Sequence, residues 1–424
     1  MPKITTPILI ALIVVAFLIG IPVGYILSGG AGVSMVGLQG EIPIGVLVDL
    51  TGVNSGWGTR AKAAVEYAES EINNFTTTTG IPVKFKFYYE DTESNPDTTL
   101  TKAQALVARG IKVLVGGIIS ANLRAIGAYV DSNRIVTITG HSIAPRESIS
   151  RPVSQGGYVF RLQPSCEFEA LALKAALLSL SHKYVATLVV KDIYSLSIAD
   201  ACEKQWKAAG IETIARVEYS PGTTEFSAEL QALENAVAPY VQQYGADKVV
   251  IFADVCEEII QILDQASKRN SPLLDLFWWS ADSFTLSAVV PQYAGALAVK
   301  VKLPALTYEV AFTPKFEKIN NYAKAKIGQE LEGPAILAYD GAWIAALSIL
   351  VAGKYDGEAI RNVVPSIAER YYGISGYTEL NEDGDRAMMN LAFYQVVEEN
   401  GGYKWVKTAT YDASQDKFEW IKAP

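Results

Sequence analysis

The stretch 42–74, which reads IPIGVLVDLTGVNSGWGTRAKAAVEYAESEINN, constrains the fold of this chain most strongly. The apolar run 44–50 predicts a buried strand, and the apolar spacing of 60–72 predicts an amphipathic helix. A Gly-, Asn- and Ser-rich loop, 51–58, lies between them and contains Trp57. A strand, a loop and a helix in this order open an α/β layer, in which ligands bind beyond the carboxyl ends of strands. On that loop, Trp57 either packs against the core or forms part of a binding surface.

The same alternation of strands and helices continues along the chain. Strand patterns are predicted at 83–89, 113–115, 135–138, 158–162, 185–190, 248–252 and 276–279. Helical patterns are predicted at 98–109, 121–132, 168–180, 197–209, 225–244 with a break at Pro239, and 257–267. This alternation predicts parallel, doubly wound sheets, and 424 residues are too many for one compact core. We therefore expect an α/β protein with two lobes.

The last third of the chain has a different pattern. The alternating run 297–304 ends in proline and predicts a strand that crosses between lobes. The apolar stretch 336–350 predicts a long buried helix, and 377–411 predicts alternating strands with an Asp-Gly turn at 383–384.

The N-terminus contains the uncharged, apolar stretch 8–27. Its length of about 20 residues is enough to cross a bilayer and exceeds the usual apolar core of a signal peptide. Lys3 precedes it and the next basic residue is Arg60, so the N-terminus is expected to stay cytoplasmic with the body outside. Residues 1–27 are thus predicted as a retained membrane anchor, with a cleaved signal segment as the alternative. The Gly-rich segment 28–41 is predicted as a linker.

Composition excludes several classes of function. The net charge is −9 and no basic run is present, which argues against nucleic acid as a partner. Three cysteines at wide spacing give neither a zinc pattern nor a disulfide framework, although one pair among them can bridge outside the cell. Two histidines are too few for most His-based metal sites. Asn74 begins the sequon Asn-Phe-Thr, which leaves glycosylation open.

Catalytic motifs are also missing from the sequence. It contains no G-x-x-x-x-G-K-[ST] loop, no G-x-G-x-x-G after a strand and no G-x-S-x-G elbow. Carboxylates are plentiful, but none is spaced as a pair near a histidine. We therefore expect a protein that is not an enzyme and has no cofactor or metal.

Five segments, in this order, resemble the motifs of one family. They are 52–58 (GVNSGWG, with Val53 where proline is usual), 158–165 (YVFRLQPS), 217–226 (VEYSPGTTEF), 339–342 (YDGA) and 373–386 (GISGYTELNEDGDR). Together they resemble the periplasmic-type solute-binding proteins of branched-chain amino acid ABC transporters, the Leu/Ile/Val-binding group. The resemblance covers 42 to about 400 and is more specific for architecture than for ligand.

The resemblance implies the type I periplasmic binding fold, in which two α/β lobes are joined by a three-crossing hinge and close around a ligand. Carried onto this sequence, lobe one takes 42–161 and 300–375. Lobe two takes 162–299, and its C-terminal strands are expected in 376–424.

The resemblance also implies which residues contact the carboxylate and side chain of an amino acid. Ser120 matches the cleft serine of the family's G-x-x-S loop, and an ordinary helix N-cap is the alternative. Ser142 is the nearest hydroxyl in the family's S/A-A-T-S/A-P loop, where Ile143 replaces the usual threonine. His141 precedes it and either contacts the ligand or only stabilises the loop. The family's first loop commonly carries a residue that packs on the ligand, which makes Trp57 a pocket wall.

Two further residues are implied for the ammonium side. Asp282 lies where the family has an acidic residue facing the ligand ammonium; an exposed surface aspartate is the alternative. Tyr194 is retained from the family's D-x-Y-G-x-G loop, in which both glycines are serines here. Because glycine allows conformations that serine resists, the loop is expected to follow another path.

The function implied is that of an extracytoplasmic receptor, which captures an amino acid or similar small solute and delivers it to an ABC transporter permease. A ligand-sensing ectodomain of the same fold, signalling through a partner protein, is the alternative. Branched-chain and polar amino acids, amides and small aromatic acids share this scaffold, so the fold does not choose the solute.

Overall fold

The computed structural model describes residues 37–309 and 313–423. The strands, in chain order, are β1 (Gly40–Val48), β2 (Val83–Asp91), β3 (Val113–Gly116), β4 (Val136–Thr139), β5 (Val159–Arg161), β6 (Tyr184–Val190), β7 (Glu212–Tyr219), β8 (Val249–Asp254), β9 (Phe277–Trp279), β10 (Pro304–Tyr308), β11 (Tyr372–Gly373), β12 (Gly376–Tyr377), β13 (Leu391–Glu399), β14 (Gly402–Asp412) and β15 (Lys417–Trp420). The helices are α1 (Ser55–Thr79), α2 (Pro96–Ala108), α3 (Ser120–Asn133), α4 (Arg146–Ile149), α5 (Cys166–Ser179), α6 (Ile193–Ala208), α7 (Ser227–Tyr244), α8 (Ile259–Lys268), α9 (Val289–Lys300), α10 (Pro314–Ile327), α11 (Gly333–Ala352) and α12 (Gly357–Ala368).

The described chain divides into two compact units. The first contains 37–164 and 313–388, and the second contains 165–309 and 389–423. The chain therefore changes unit three times.

The first unit is built on a parallel sheet of order β2-β1-β3-β4-β5. Its inner strand β1 pairs with β2 through Val48 opposite Asp91 and with β3 through Leu47 opposite Gly116. Because β1 has a neighbour on each side, most of its side chains are buried, which explains the continuous apolar run in the sequence. The carboxyl ends of these strands lie at one edge of the sheet, and the helices that follow them begin there.

Helix α11 forms part of the core of the first unit. It is apolar on all sides and packs against α1. Within the described residues it is the helix that is long and apolar enough to cross a membrane, but most of it is buried inside the protein, as is usual for a core helix. The predicted anchor, 8–27, lies outside the described residues.

Two of the sequence motifs meet in a buried ion pair of the first unit. Arg161 of the YVFR motif donates from Nε to Asp385 of the GDR motif at 2.6 Å, and Arg146 pairs with the same carboxylate. Asp340 of the YDGA motif accepts hydrogen bonds from the backbone N–H groups of Ile374 (3.0 Å) and Ser375 (2.9 Å). These motif residues therefore stabilise the unit, and their role in this structure is architectural.

The second unit contains a parallel sheet of order β7-β6-β8-β9. Its core includes Leu188, Ile251 and Trp278, all fully buried, and the ring of Trp206 packs edge-on against Phe252. The alternating strands and helices of both units confirm the predicted α/β class with parallel sheets. Helix α7 runs through Pro239 without the predicted break.

An antiparallel sheet of order β10-β13-β14-β15 completes the second unit. The predicted strand 297–304 is wrong, because the first half of this run ends α9, which packs on β13, and β10 begins only at Pro304. Burial of α9 against the sheet outweighs the strand propensity of its alternating valines. Cys166, Cys202 and Cys256 are all thiols in the structure, with no disulfide among them.

Candidate functional site

Trp57 lies in the first turn of α1, so its predicted loop position is wrong. The helix starts at Ser55, five residues before the predicted start, because Gly58 permits a close approach to β1. A Cβ at Gly58 would lie 1.9 Å from the backbone oxygen of Asp49. The tight contact brings the helix start against the strand end, and the half-buried ring of Trp57 is held at the carboxyl edge of the sheet.

The ring of Trp57 contacts two side chains. The ring of His141, from the loop after β4, lies 5.3 Å from it between centroids, and the guanidinium carbon of Arg60 lies 4.9 Å from its centroid. Burial, with a smaller contribution from the positive charge of Arg60, lowers the pKa of His141 to about 4. His141 is therefore neutral at pH 7. Trp57 and His141 form an aromatic wall on the first unit, and the guanidinium of Arg60 lies against the Trp57 ring.

Ser120 and Ser142 come together beside this wall. Their hydroxyl oxygens are 3.2 Å apart, and both side chains are buried. The N-cap interpretation of Ser120 is wrong, since Ser120 is the first helical residue of α3 and Ile119 occupies the cap position without a side-chain hydrogen bond. The two hydroxyls and the N-terminus of α3 give this edge donors suited to a carboxylate.

Asp49, which directly follows β1, was not among the predicted site residues. Its Oδ1 accepts hydrogen bonds from the Thr92 hydroxyl, the Asn122 amide (3.0 Å) and the Ser94 backbone N–H (3.2 Å). Burial outweighs these bonds and raises its pKa to about 6. Because its partners come from the protein itself, Asp49 joins the ends of the strands.

Tyr194 and Asp282 are brought together at the carboxyl edge of the second unit's parallel sheet. Tyr194 lies in the first turn of α6, which Asp192 caps by accepting from the Ser195 N–H at 2.8 Å. The serines that replace the family's glycines are thus accommodated by a helix start. The Tyr194 hydroxyl donates to Oδ1 of Asp282. Burial, followed by neighbouring carboxylates, raises the pKa of Tyr194 far above its usual range, so the phenol keeps its proton and acts as a donor.

Two more carboxyl groups, Asp254 and Glu169, accompany this pair and were missed in the sequence. Asp254 ends β8 and Glu169 lies on α5; both are fully buried. Glu169 accepts a hydrogen bond from the Tyr308 hydroxyl at 2.6 Å through Oε1. Burial, reinforced by repulsion from Asp282, raises the pKa of each well above its usual range. The second unit therefore presents an acidic edge.

The chain matches a family model described as "Periplasmic binding protein" over residues 41–402. The chain belongs to this family. An uncharacterised protein of Methanocaldococcus jannaschii is 32% identical over 395 residues, which are 90% of this chain and 92% of the relative. A Leu/Ile/Val-binding protein homolog of Brucella melitensis is 27% identical over 207 residues, 47% of this chain and 53% of the relative.

Solved structures agree with this assignment. The leucine-binding protein LivK of Thermotoga maritima has a TM-score of 0.69 at 20% identity, with coverage of 88% of this chain and 99% of that one. At this identity the likeness shows the fold alone. The predicted resemblance to the Leu/Ile/Val-binding group is confirmed, and membership of this family of periplasmic binding proteins implies an extracytoplasmic location.

In this periplasmic binding protein the six predicted site residues fall into three contacting pairs. Trp57 touches His141 and Ser120 touches Ser142 in the first unit, while Tyr194 touches Asp282 in the second. Two of the missed residues, Asp49 and Asp254, share one signal: an aspartate at the end of an apolar parallel strand, as in VLVD and VIFAD. Glu169 lies on α5 and does not carry this signal. That signal alone does not distinguish Asp254 from Asp49, whose carboxylate accepts hydrogen bonds from its own unit.

Proposed function

We propose that this chain is the solute-binding protein of an ABC importer and captures an amino acid or similar small solute. The observation that supports this proposal most strongly is that the two units have complementary chemical groups at the carboxyl edges of their parallel sheets. One edge offers hydroxyls, a helix N-terminus and an aromatic wall, and the other offers a carboxylate with a tyrosine. An α-amino acid needs donors for its carboxylate, an acceptor for its ammonium and an apolar wall for its side chain.

Each group of the solute has an assigned partner in this proposal. Ser120 and Ser142 donate to the carboxylate, assisted by the N-terminus of α3. Asp282 accepts from the α-ammonium, and the Tyr194 hydroxyl holds that carboxylate in place. Trp57 packs on the solute side chain, with neutral His141 completing the wall.

Binding can be tested by calorimetry on the purified full chain with a panel of branched-chain and polar amino acids, amides and small aromatic acids. We expect saturable binding of at least one member at one solute per chain. Failure of every member to bind would remove the proposal. The recovered solute should be chemically unchanged, since we propose a binding protein without catalysis, and turnover of a bound solute would contradict that part.

For localisation, we propose that 8–27 anchors the chain in the membrane and that the body faces outside. The length and lack of charge of this stretch support an anchor. Membrane fractionation of cells that express the full chain, followed by protease treatment of intact cells, tests this. Recovery of a shortened protein in the soluble fraction would favour a cleaved signal segment.

The proposed partner is the permease of an ABC transporter. A ligand-sensing ectodomain that signals through another protein is the alternative of the same fold. Cross-linking of the anchored chain in its native membrane should recover a permease with several membrane spans. Recovery of a kinase in its place would favour sensing.

A further inference from the structure

Among the described residues, the second unit contains buried oxygen atoms that have no hydrogen-bond partner of ordinary geometry. These atoms are Oδ1 and Oδ2 of Asp254 and Oε2 of Glu169. Within the described residues, the hydroxyl oxygens of Ser195 and Ser280 are also buried without such a partner. The hydroxyls of Ser195 and Ser283 lie close enough to lower the pKa of Asp254, but burial dominates. Buried polar atoms in native proteins are normally paired, so these oxygens point to a missing donor.

In the described part of the chain, these carboxyl groups are not paired with a cation. Within 37–309 and 313–423, neither Asp254 nor Glu169 forms a salt bridge with a lysine, arginine or histidine. The charged groups that act most strongly on Asp254 are Asp282 and Asp192, and both are acidic. Burying an uncompensated carboxylate is costly, so the site is suited to an external positive charge.

The arrangement favours an organic cation over a metal ion. In the described part of the chain, no group of three or more His, Cys, Asp or Glu side chains is placed to hold a metal. An ammonium brings three N–H donors and a guanidinium brings five, which matches a set made mostly of acceptors. Asp282, the acceptor assigned to the α-ammonium, lies close enough to raise the pKa of Asp254, and both carboxyl groups act on Tyr194.

We propose that Asp254 and Glu169 form a subsite for a second cationic group of the solute. The solute is then a small molecule with a net positive charge, such as a diamino acid or a guanidino amino acid. A zwitterionic amino acid brings one ammonium, which Asp282 alone can match, and it supplies no second cation to Asp254 or to Oε2 of Glu169. This inference rests on the proposed function and names the class of solute.

Binding of such a solute is expected to release protons. In the free protein both carboxyl groups hold protons at higher pH than usual, because burial and then the charge of Asp282 raise the pKa of each. A bound cation favours the ionised forms, so affinity should rise with pH, by about tenfold per unit for each proton released. The titratable groups that act with Asp254 are all acidic: Asp282, Asp192, Glu169, Tyr194, Tyr219, Cys202 and Cys256.

The test compares lysine with norleucine, which has the same carbon chain without the ε-ammonium. Calorimetry on the full chain should show lysine or ornithine binding at least about 50-fold more tightly than norleucine, as expected for a hydrogen-bonded buried charge. Repeating the titration in buffers of different ionisation enthalpy should show proton release with lysine only. Equal affinity for lysine and norleucine would overturn the inference.

Single substitutions test whether Asp254 causes the preference for lysine. Asp254→Asn should reduce the preference for lysine over norleucine to about fivefold or less, because a neutral amide no longer pairs with the ammonium. Asp275→Asn, on the exposed surface of the same unit, is the matched control and should behave as the wild type. A thermal melt of each variant checks folding. An unchanged lysine preference in a folded Asp254→Asn variant would overturn the inference.

The outcomes also separate this inference from the proposed function. If leucine or norleucine binds tightly and lysine does not, the subsite is wrong and the solute-binding function stands. If putrescine, a diamine without a carboxylate, binds more tightly than lysine, the acidic subsite is supported and the amino acid assignment is wrong. If no member of the panel binds, both are wrong.

Discussion

Asp49 in the first unit and Asp254 in the second occupy equivalent places, at the end of an apolar strand inside a parallel sheet. Asp49 accepts three hydrogen bonds from its own unit, and burial raises its pKa to about 6. Within the described residues, neither carboxyl oxygen of Asp254 accepts a hydrogen bond of ordinary geometry, and burial beside other carboxyl groups raises its pKa well above its usual range. The same residue in the same type of position is therefore structural in one unit and available to a ligand in the other.

The comparison teaches that burial alone does not identify a binding residue. Both aspartates are buried, with exposed fractions of 2% and 0%. What differs is the supply of donors, which for Asp49 comes from Thr92, Ser94 and Asn122. Replacing Asp49 should therefore affect other properties of the protein than replacing Asp254.

The largest effect is expected for Asp49→Ala. Its removal leaves the donors of Thr92, Ser94 and Asn122 without their acceptor, which should lower the free energy of unfolding by about 3 kcal/mol. Urea denaturation measures this, and Asp49→Asn is the control because its amide oxygen still accepts. Stability equal to the wild type in the alanine variant would show that Asp49 does not join the strand ends.

Asp254→Asn should have the opposite effect on stability. A carboxyl group whose pKa is raised in the folded state loses stability as the pH rises, because the unfolded chain ionises more readily. The asparagine variant does not lose stability in this way. Its free energy of unfolding should therefore exceed that of the wild type by about 2 kcal/mol at pH 8 and by less at pH 4. Urea denaturation at both pH values measures the difference. A variant less stable than the wild type at pH 8 would make Asp254 structural, like Asp49.

Trp57→Ala tests the aromatic wall of the first unit. Loss of the ring should weaken solute binding by about 2 kcal/mol, or roughly 30-fold, while the melting temperature stays close to that of the wild type. Trp57→Phe, which keeps an aromatic ring, should retain most of the affinity. If calorimetry finds the same affinity in the alanine variant, Trp57 only packs the start of α1.

The smallest effect is expected for the serine pair. Ser120→Ala or Ser142→Ala removes one donor and should each lower affinity by about 1 kcal/mol, or roughly fivefold. Because the two hydroxyls contact each other, the double variant should lose less than the sum of the single losses. If the loss of affinity in the double variant equals the sum of the two single losses, the serines do not share a carboxylate site. Variants that lose stability but keep their affinity would also argue against that site.

Much of the fold was predictable because the parallel strands are short apolar runs separated by helices with regular apolar spacing. The failures have tertiary causes. Trp57 was placed in a loop because the glycine-rich start of α1 is typical of a turn, and the close packing of Gly58 on Asp49 is a tertiary contact that the sequence does not show. The run 297–304 was predicted as a strand because its alternation hides the burial of α9 against β13.

The site was predicted less completely. The family motifs led to Ser120, Ser142, Tyr194 and Asp282, and the structure places them in contacting pairs. Asp254 was missed because an aspartate after an apolar strand is also common in surface turns. Only the three-dimensional surroundings show that it is buried without donors.

The most direct test of the account is a calorimetric titration of the full chain with leucine, isoleucine, valine, lysine and ornithine. The account predicts saturable binding of at least one of these at one solute per chain, with a Kd of about 10 μM or lower. The absence of saturable binding for every one of them at millimolar concentration would contradict it.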